Sequence, residues 1–116
     1  MTTQKRILFV AEAVTLAHVS RPYAIANALD RNMYNIFFAS DSRFNNLFNF
    51  SGINYTPITS VPTLQFLNAL AKGKPAYCAA TLKNYVLEDI RLIKSHKPAV
   101  VVGDFRLSLA ISTRLC

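Results

Sequence analysis

The sequence predicts an α/β fold in which a parallel sheet carries helices on both faces, and three observations support it. Apolar runs of strand length alternate with segments of helical period along the 116 residues. The runs RILFV (6–10) and PAVVVG (98–103) lack polar alternation, which suits parallel strands covered on both sides. With 52% hydrophobic and only 16% charged residues, the chain is composed to bury one core and is not disordered.

In order, RILFV is the first strand, and the loop AEAVTLAHVS (11–20) leads into a helix over 21–30. Pro22 falls in its first turn, and Ile25, Ala28 and Leu29 share a face. YNIFFAS (34–40) is the second strand, followed by a short helix over 44–50. Ser51-Gly52 stops that helix, because glycine accepts the left-handed turn a helix end often needs. INYTPI (53–58) is the third strand. Residues 57–81, broken by Pro57, Pro62, Gly73 and Pro75, read as a mobile insertion around a helix over 63–72. A longer helix follows over 79–95, its Leu82, Val86, Ile90 and Ile93 recurring at the helical period. Pro98 ends it, PAVVVG is the fourth strand, and residues 106–116 begin another helix with Leu109 and Ile111 among its apolar residues. A doubly wound domain places a further strand after such a helix, so residues 1–116 read as one incomplete domain. Such a piece is expected to leave apolar surface uncovered and to self-associate or be only marginally stable.

The formal charge of +7 raises nucleic acid as a partner, but the basic residues are scattered. Lys5, Arg21, Arg31, Arg43, Lys83, Arg91 and Arg106 fall in different segments, and only Lys94, His96 and Lys97 group together, at a helix C-terminus where cations offset the macrodipole. No helix-turn-helix, RNA-recognition or zinc-finger pattern occurs, so no nucleic acid is expected. Cys78 and Cys116 read as free thiols without metal-ligand spacing, as a reducing cytosol permits. The apolar run between Lys5-Arg6 and Ala11-Glu12-Ala13 is too short for a signal peptide. No apolar segment is long enough to cross a bilayer, so any membrane contact would be peripheral, at the inner surface.

The chain has three glycines, Gly52, Gly73 and Gly103, and none lies in the loop after the first strand. Neither a dinucleotide fingerprint nor a P-loop is present, which argues against hydride transfer and ATP hydrolysis. That loop instead carries His18, while Asp104 closes the fourth strand. Ligands of open α/β sheets bind outside the carboxyl ends of the strands where the winding reverses, between strands one and four here. A base and a carboxylate from distant parts of the chain therefore converge on one crevice. His18 reads either as a base, kept neutral by the positive end of the following helix, or as a solvated loop histidine. Asp104 reads either as its partner or as an N-cap of the next helix, the commoner role for an aspartate so placed. Glu12, in the same loop as His18, reads as a second acid or base or, more commonly for a residue so placed, as a solvated loop carboxylate. Phe105 lines a pocket or joins the core, and Arg106 meets a phosphate or sits on a solvated helix face. Phe44, Phe48 and Phe50 have roughly helical spacing and read as core packing.

RILFVAEAVTLAHVSRPYAIANAL resembles the opening strand, histidine loop and first helix of the GT-B glycosyltransferases, in particular the family of UDP-glucuronosyltransferases and bacterial macrolide glycosyltransferases. The resemblance continues through YNIFFASDSRF and SGINYTPI to KPAVVVGDFRLSLAISTRL, covering essentially the whole chain. It departs at Ala17, where many members have glycine, and at Arg21, where many have proline, with Pro22 one position late. The resemblance implies a Rossmann-like, acceptor-binding N-terminal half of a GT-B architecture, with the donor-binding domain absent. It implies His18 as catalytic base and Asp104 as its partner in an inverting hexosyl transfer. The co-substrate would be a UDP- or dTDP-sugar held by the missing domain, with no further cofactor and no metal. Val14, Leu16 and Phe105 would contact a small-molecule or lipid acceptor if it is hydrophobic. The fragment alone is expected not to turn over. Three rivals remain open: a GT-B-type sugar-nucleotide epimerase; a non-catalytic flavodoxin-like interaction domain, which expects His18 and Asp104 apart; and a lipid glycosyltransferase drawn by its charge to anionic membrane.

Overall fold

A computed structural model of the protein describes residues 4–116. Four strands, β1 (Lys5–Ala11), β2 (Tyr34–Ser40), β3 (Asn54–Pro57) and β4 (Val100–Asp104), form one sheet in the order β3-β2-β1-β4. Every pairing is parallel, with Ala11 opposite Asp104 at the carboxyl end of the β1–β4 pair. This is the strand order of the first half of a doubly wound, Rossmann-like sheet, and its direction of winding reverses between β1 and β4. The predicted α/β class and the switch point between β1 and β4 are thus both present.

Strand pleating sorts the core into two layers. Phe9, Ile36 and Phe38 point to the face covered by α1 (Ala17–Ala28) and by the aromatic set Tyr23, Phe44, Phe48 and Phe50. Leu8, Val10 and Ala39 point to the other face, beneath Leu92 and Ile93 of α3 (Ala79–His96) and Leu109 of α4 (Leu109–Ser112). The phenylalanines pack in the core as expected, although the predicted helix over 44–50 is a 3-10 helix at Ser42–Leu47 that ends before Phe48. Gly52 adopts the left-handed φ of 78° beyond it.

Several boundaries differ from the sequence reading. Helix α1 starts at Ala17 rather than 21, so Pro22 lies inside the helix and cannot donate to the carbonyl of His18. Its buried stripe is Val19, Pro22 and Ala26, and Ile25 faces solvent. In α3 the buried stripe is Tyr85, Asp89 and Leu92, and the predicted Leu82, Val86, Ile90 and Ile93 flank it half-buried. Lys97 closes α3 in the left-handed conformation, with Lys94 and His96 in the last turn. Residues 57–81 are not a loose insertion: Ile58, Val61 and Phe66 are buried, and α2 occupies Thr63–Ala71. The last helix, α4, is a single turn that starts three residues later than predicted. Leu109 of α4 lies over Gly103, where a Cβ would collide with it, so glycine in β4 permits the close approach.

Candidate active site

His18 and Asp104 meet at the switch point. Asp104 ends β4 beside the end of β1, and its carbonyl accepts from the Glu12 backbone N–H at 3.1 Å. Residues 12–16 link β1 to α1, and the early start of the helix places His18 in its first turn rather than in a loop. Its Nδ1 lies 3.0 Å from Asp104 Oδ1, with the two side chains 20% and 18% exposed. The other ring nitrogen, Nε2, is thereby turned away from the carboxylate. Phe105 stacks on the imidazole with ring centroids 4.8 Å apart and planes 11° from parallel. Its φ of 56° is left-handed, a strained state for a residue with a Cβ. No backbone group of a following helix is capped by Asp104, because residues 105–108 intervene before α4; the N-cap role is excluded.

Arg21, three residues along α1, completes this rim cluster. Its Nε donates to Asp104 Oδ2 at 2.9 Å and its Nη2 to Oδ1 at 2.8 Å, while Nη2 lies 2.9 Å from His18 Nδ1. Hydrogen bonding from Arg21, reinforced by His18, holds the Asp104 carboxyl below the usual carboxylate range against the opposing effect of burial. The sequence reading passed over Arg21. With the helix start placed at Ala17, the i,i+3 spacing to His18 would have put both on one face.

Glu12 and Arg106 are both corrected. Neither is solvated: Glu12 is fully buried and the Arg106 side chain is sealed from solvent. Arg106 reaches Glu12 Oε1 at 3.3 Å, Asp89 Oδ1 at 3.1 Å and Glu88 Oε1 at 3.3 Å, and donates to the Thr59 carbonyl at 3.0 Å. Its guanidinium carbon stands 3.8 Å from the centre of the Tyr85 ring. Glu12 also accepts from Ser60 and from the Tyr77 hydroxyl, and Asp89 from Ser108 and Ser112. Burial first, then the Glu12 carboxylate, pushes the Tyr77 and Tyr85 hydroxyls above their usual range, so both remain protonated donors at neutral pH. This interior cluster ties β1, residues 59–60 and 77, α3 and α4 together. By anchoring Arg106 it also fixes the residue before it, Phe105, whose ring supports His18.

The three residues expected to contact an acceptor are placed differently from one another. Val14 is fully buried among Val61, Phe66 and Tyr85, Leu16 is 43% exposed just ahead of α1, and Phe105 lies on the imidazole. A separate cavity of about 530 Å³ lies between residues 59–65 and α3, lined by Pro62, Gln65, Asn84 and Arg91 among others, and it contains neither His18 nor Asp104. Among the described residues no group of His, Cys, Asp and Glu is arranged to hold a metal ion, and no helix is long and apolar enough to cross a membrane. Both cysteines are free and exposed.

The chain is thus an open parallel α/β domain with an imidazole–carboxylate pair at its switch point. No family model matches the chain, and no solved structure matches it. Its curated relatives are named glycosyltransferases. The chain is 45% identical over 112 residues to the PGL/p-HBAD biosynthesis rhamnosyltransferase of Mycobacterium bovis strain BCG, covering 97% of this chain and 25% of that protein. The same identity relates it to a PGL/p-HBAD biosynthesis glycosyltransferase of Mycobacterium tuberculosis, with 26% of that protein covered. It also relates it to an inactive PGL/p-HBAD biosynthesis glycosyltransferase of Mycobacterium bovis, with 31% covered. The chain thus spans about a quarter to a third of the length of the relatives it matches.

Proposed function

We propose that this chain is the acceptor-binding, Rossmann-like N-terminal part of an inverting glycosyltransferase of GT-B architecture. The names of the relatives support the reaction class, and one observation supports the mechanism: the 3.0 Å contact between His18 Nδ1 and Asp104. With Nδ1–H donating to the carboxylate, Nε2 is free to accept a proton. Nε2 removes the proton of an acceptor hydroxyl as that oxygen bonds to the anomeric carbon, and the carbon–oxygen bond to the nucleoside diphosphate breaks. Asp104 orients the ring and stabilises the imidazolium that forms. A single in-line displacement inverts the anomeric centre and requires no covalent sugar intermediate.

The donor in this reading is a UDP- or dTDP-sugar bound by a second domain, and a rhamnosyl donor is the first to test. Leu16 and Phe105 supply apolar surface for a small-molecule or lipid acceptor, with Val14 buried beside Phe105. The contact between His18 and Asp104 goes against the flavodoxin-like interaction domain, which expects the pair apart. An inactive relative at the same overall identity makes the residue-level test the decisive one. In the complete enzyme, His18→Ala should lower turnover by about 10²- to 10⁴-fold while leaving acceptor affinity nearly unchanged. Unchanged turnover would remove His18 from the mechanism, and a product in which the sugar nucleotide is epimerised rather than consumed would replace the reaction class.

A further inference from the structure

We propose that Arg21 is a positioning residue of this site: its guanidinium clamps both oxygens of Asp104 and thereby holds the His18 ring in the Nδ1–H tautomer. The consequence for catalysis rests on the reading above, whereas the tautomer itself does not.

A guanidinium can only donate hydrogen bonds and an ionised carboxylate can only accept them. Arg21 meets Asp104 with two parallel bonds, Nε to Oδ2 at 2.9 Å and Nη2 to Oδ1 at 2.8 Å, which fixes the plane of the carboxylate. So fixed, Oδ1 stands 3.0 Å from His18 Nδ1. Nδ1, Oδ1 and Nη2 form a nearly equilateral triangle, because Nη2 is also 2.9 Å from Nδ1. Nη2 carries two hydrogens: one goes to Oδ1, and the second can be accepted by Nδ1 only if that nitrogen is bare. A bare Nδ1 would accept from Nη2 but set its lone pair 3.0 Å from an ionised oxygen, whereas directing Nδ1–H and Nη2–H together at Oδ1 pairs both nitrogens with the carboxylate charge, and this is the arrangement favoured here. A free histidine side chain prefers its proton on Nε2, so the site reverses the ring's own preference. Without the clamp the Asp104 carboxylate, itself 18% exposed, rotates and exchanges the ring for water. Arg21 rises from the same face of α1 as His18, so one helical turn carries both the ring and the group that disciplines its partner.

The test is nitrogen NMR on the 116-residue chain with labelled imidazoles, at about pH 8, where an unperturbed ring of pKa about 6.5 is neutral. His96, stacked on Phe37 at the end of α3, is the internal control. Wild-type His18 should carry its proton on Nδ1. In Arg21→Ala the His18 signals should move toward the Nε2–H pattern while those of His96 stay in place, and Arg21→Lys, with a single donor head, should fall between. Arg21 is 59% exposed, so these variants should retain the native amide spectrum, and Arg21→Gln provides a second neutral replacement. Full retention of Nδ1–H in the folded Ala or Gln variant would overturn the proposal, and so would an Nε2–H tautomer in the wild type. If the spectra follow expectation while His18→Ala leaves turnover of the complete enzyme intact, the clamp stands and the catalytic reading fails.

Discussion

Two charged clusters lie almost on top of each other in sequence and in opposite environments in space. Glu12 and His18 are six residues apart, and Asp104 and Arg106 only two. Yet Glu12, Asp89 and Arg106 have side chains at most 1% exposed, while Arg21 is 59% exposed on the rim. The left-handed turn at Phe105 separates them by sending Asp104 into the crevice and Arg106 into the interior. The interior groups are fully committed to one another, because any unpaired member would be a buried charge or polar group without solvent. The rim groups retain access to water and a ring nitrogen turned away from its partner. One cluster is therefore suited to hold backbone, and the other to exchange a proton.

The largest expected effect is at the interior. Arg106→Met keeps the volume of the stem but strands Glu12 and Asp89, and it should cost about 3–5 kcal/mol in chemical denaturation, nearly independent of salt. A loss below about 1 kcal/mol would erase the distinction drawn between the clusters. A smaller effect is expected from Ser112→Ala, which removes one of the donors to Asp89 and should cost about 1–3 kcal/mol. The rim should respond least and differently. Arg21→Ala should barely move the denaturation midpoint, and added salt should remove what difference there is. Since Arg21 and then His18 hold the Asp104 carboxyl below its ordinary value, their pairing stabilises the fold above the unfolded carboxyl pKa of about 3.9 and is lost as pH falls through the lower folded value. The stability difference between wild type and Asp104→Asn should accordingly disappear as the pH is taken down from about 4 through the lower folded value. A difference that persists at the acid end would mean that Asp104 acts through packing rather than charge.

Much of this architecture was legible along the chain. Apolar runs located β1, β2 and β4 to within a few residues, and the reversal between β1 and β4 brings His18 and Asp104 together as expected. The misread elements share a cause. Pro22 signals a first turn at Arg21, but the helix tolerates proline one turn inside and begins four residues earlier. Reading the apolar period of α3 as its buried stripe passed over Asp89, which sits at the centre of that stripe between Tyr85 and Leu92. A carboxylate at such a position demands a cation, and Arg106 was the cation to look for. Glu12, flanked by Ala11 and Ala13 at the end of a buried strand, carried the same hint.

Hydrophobic periodicity, being local, sufficed to determine the parallel α/β class and the order of elements. Which charges are sealed inside and which stay at the rim was decided only in three dimensions, because a charge is stabilised by partners that come from anywhere in the chain. Arg106 gathers carboxylates 17, 18 and 94 residues away, and Asp104 meets Arg21 across 83. No periodic pattern encodes such pairings; the folded sheet, with helices on both faces and one strained turn at Phe105, creates them.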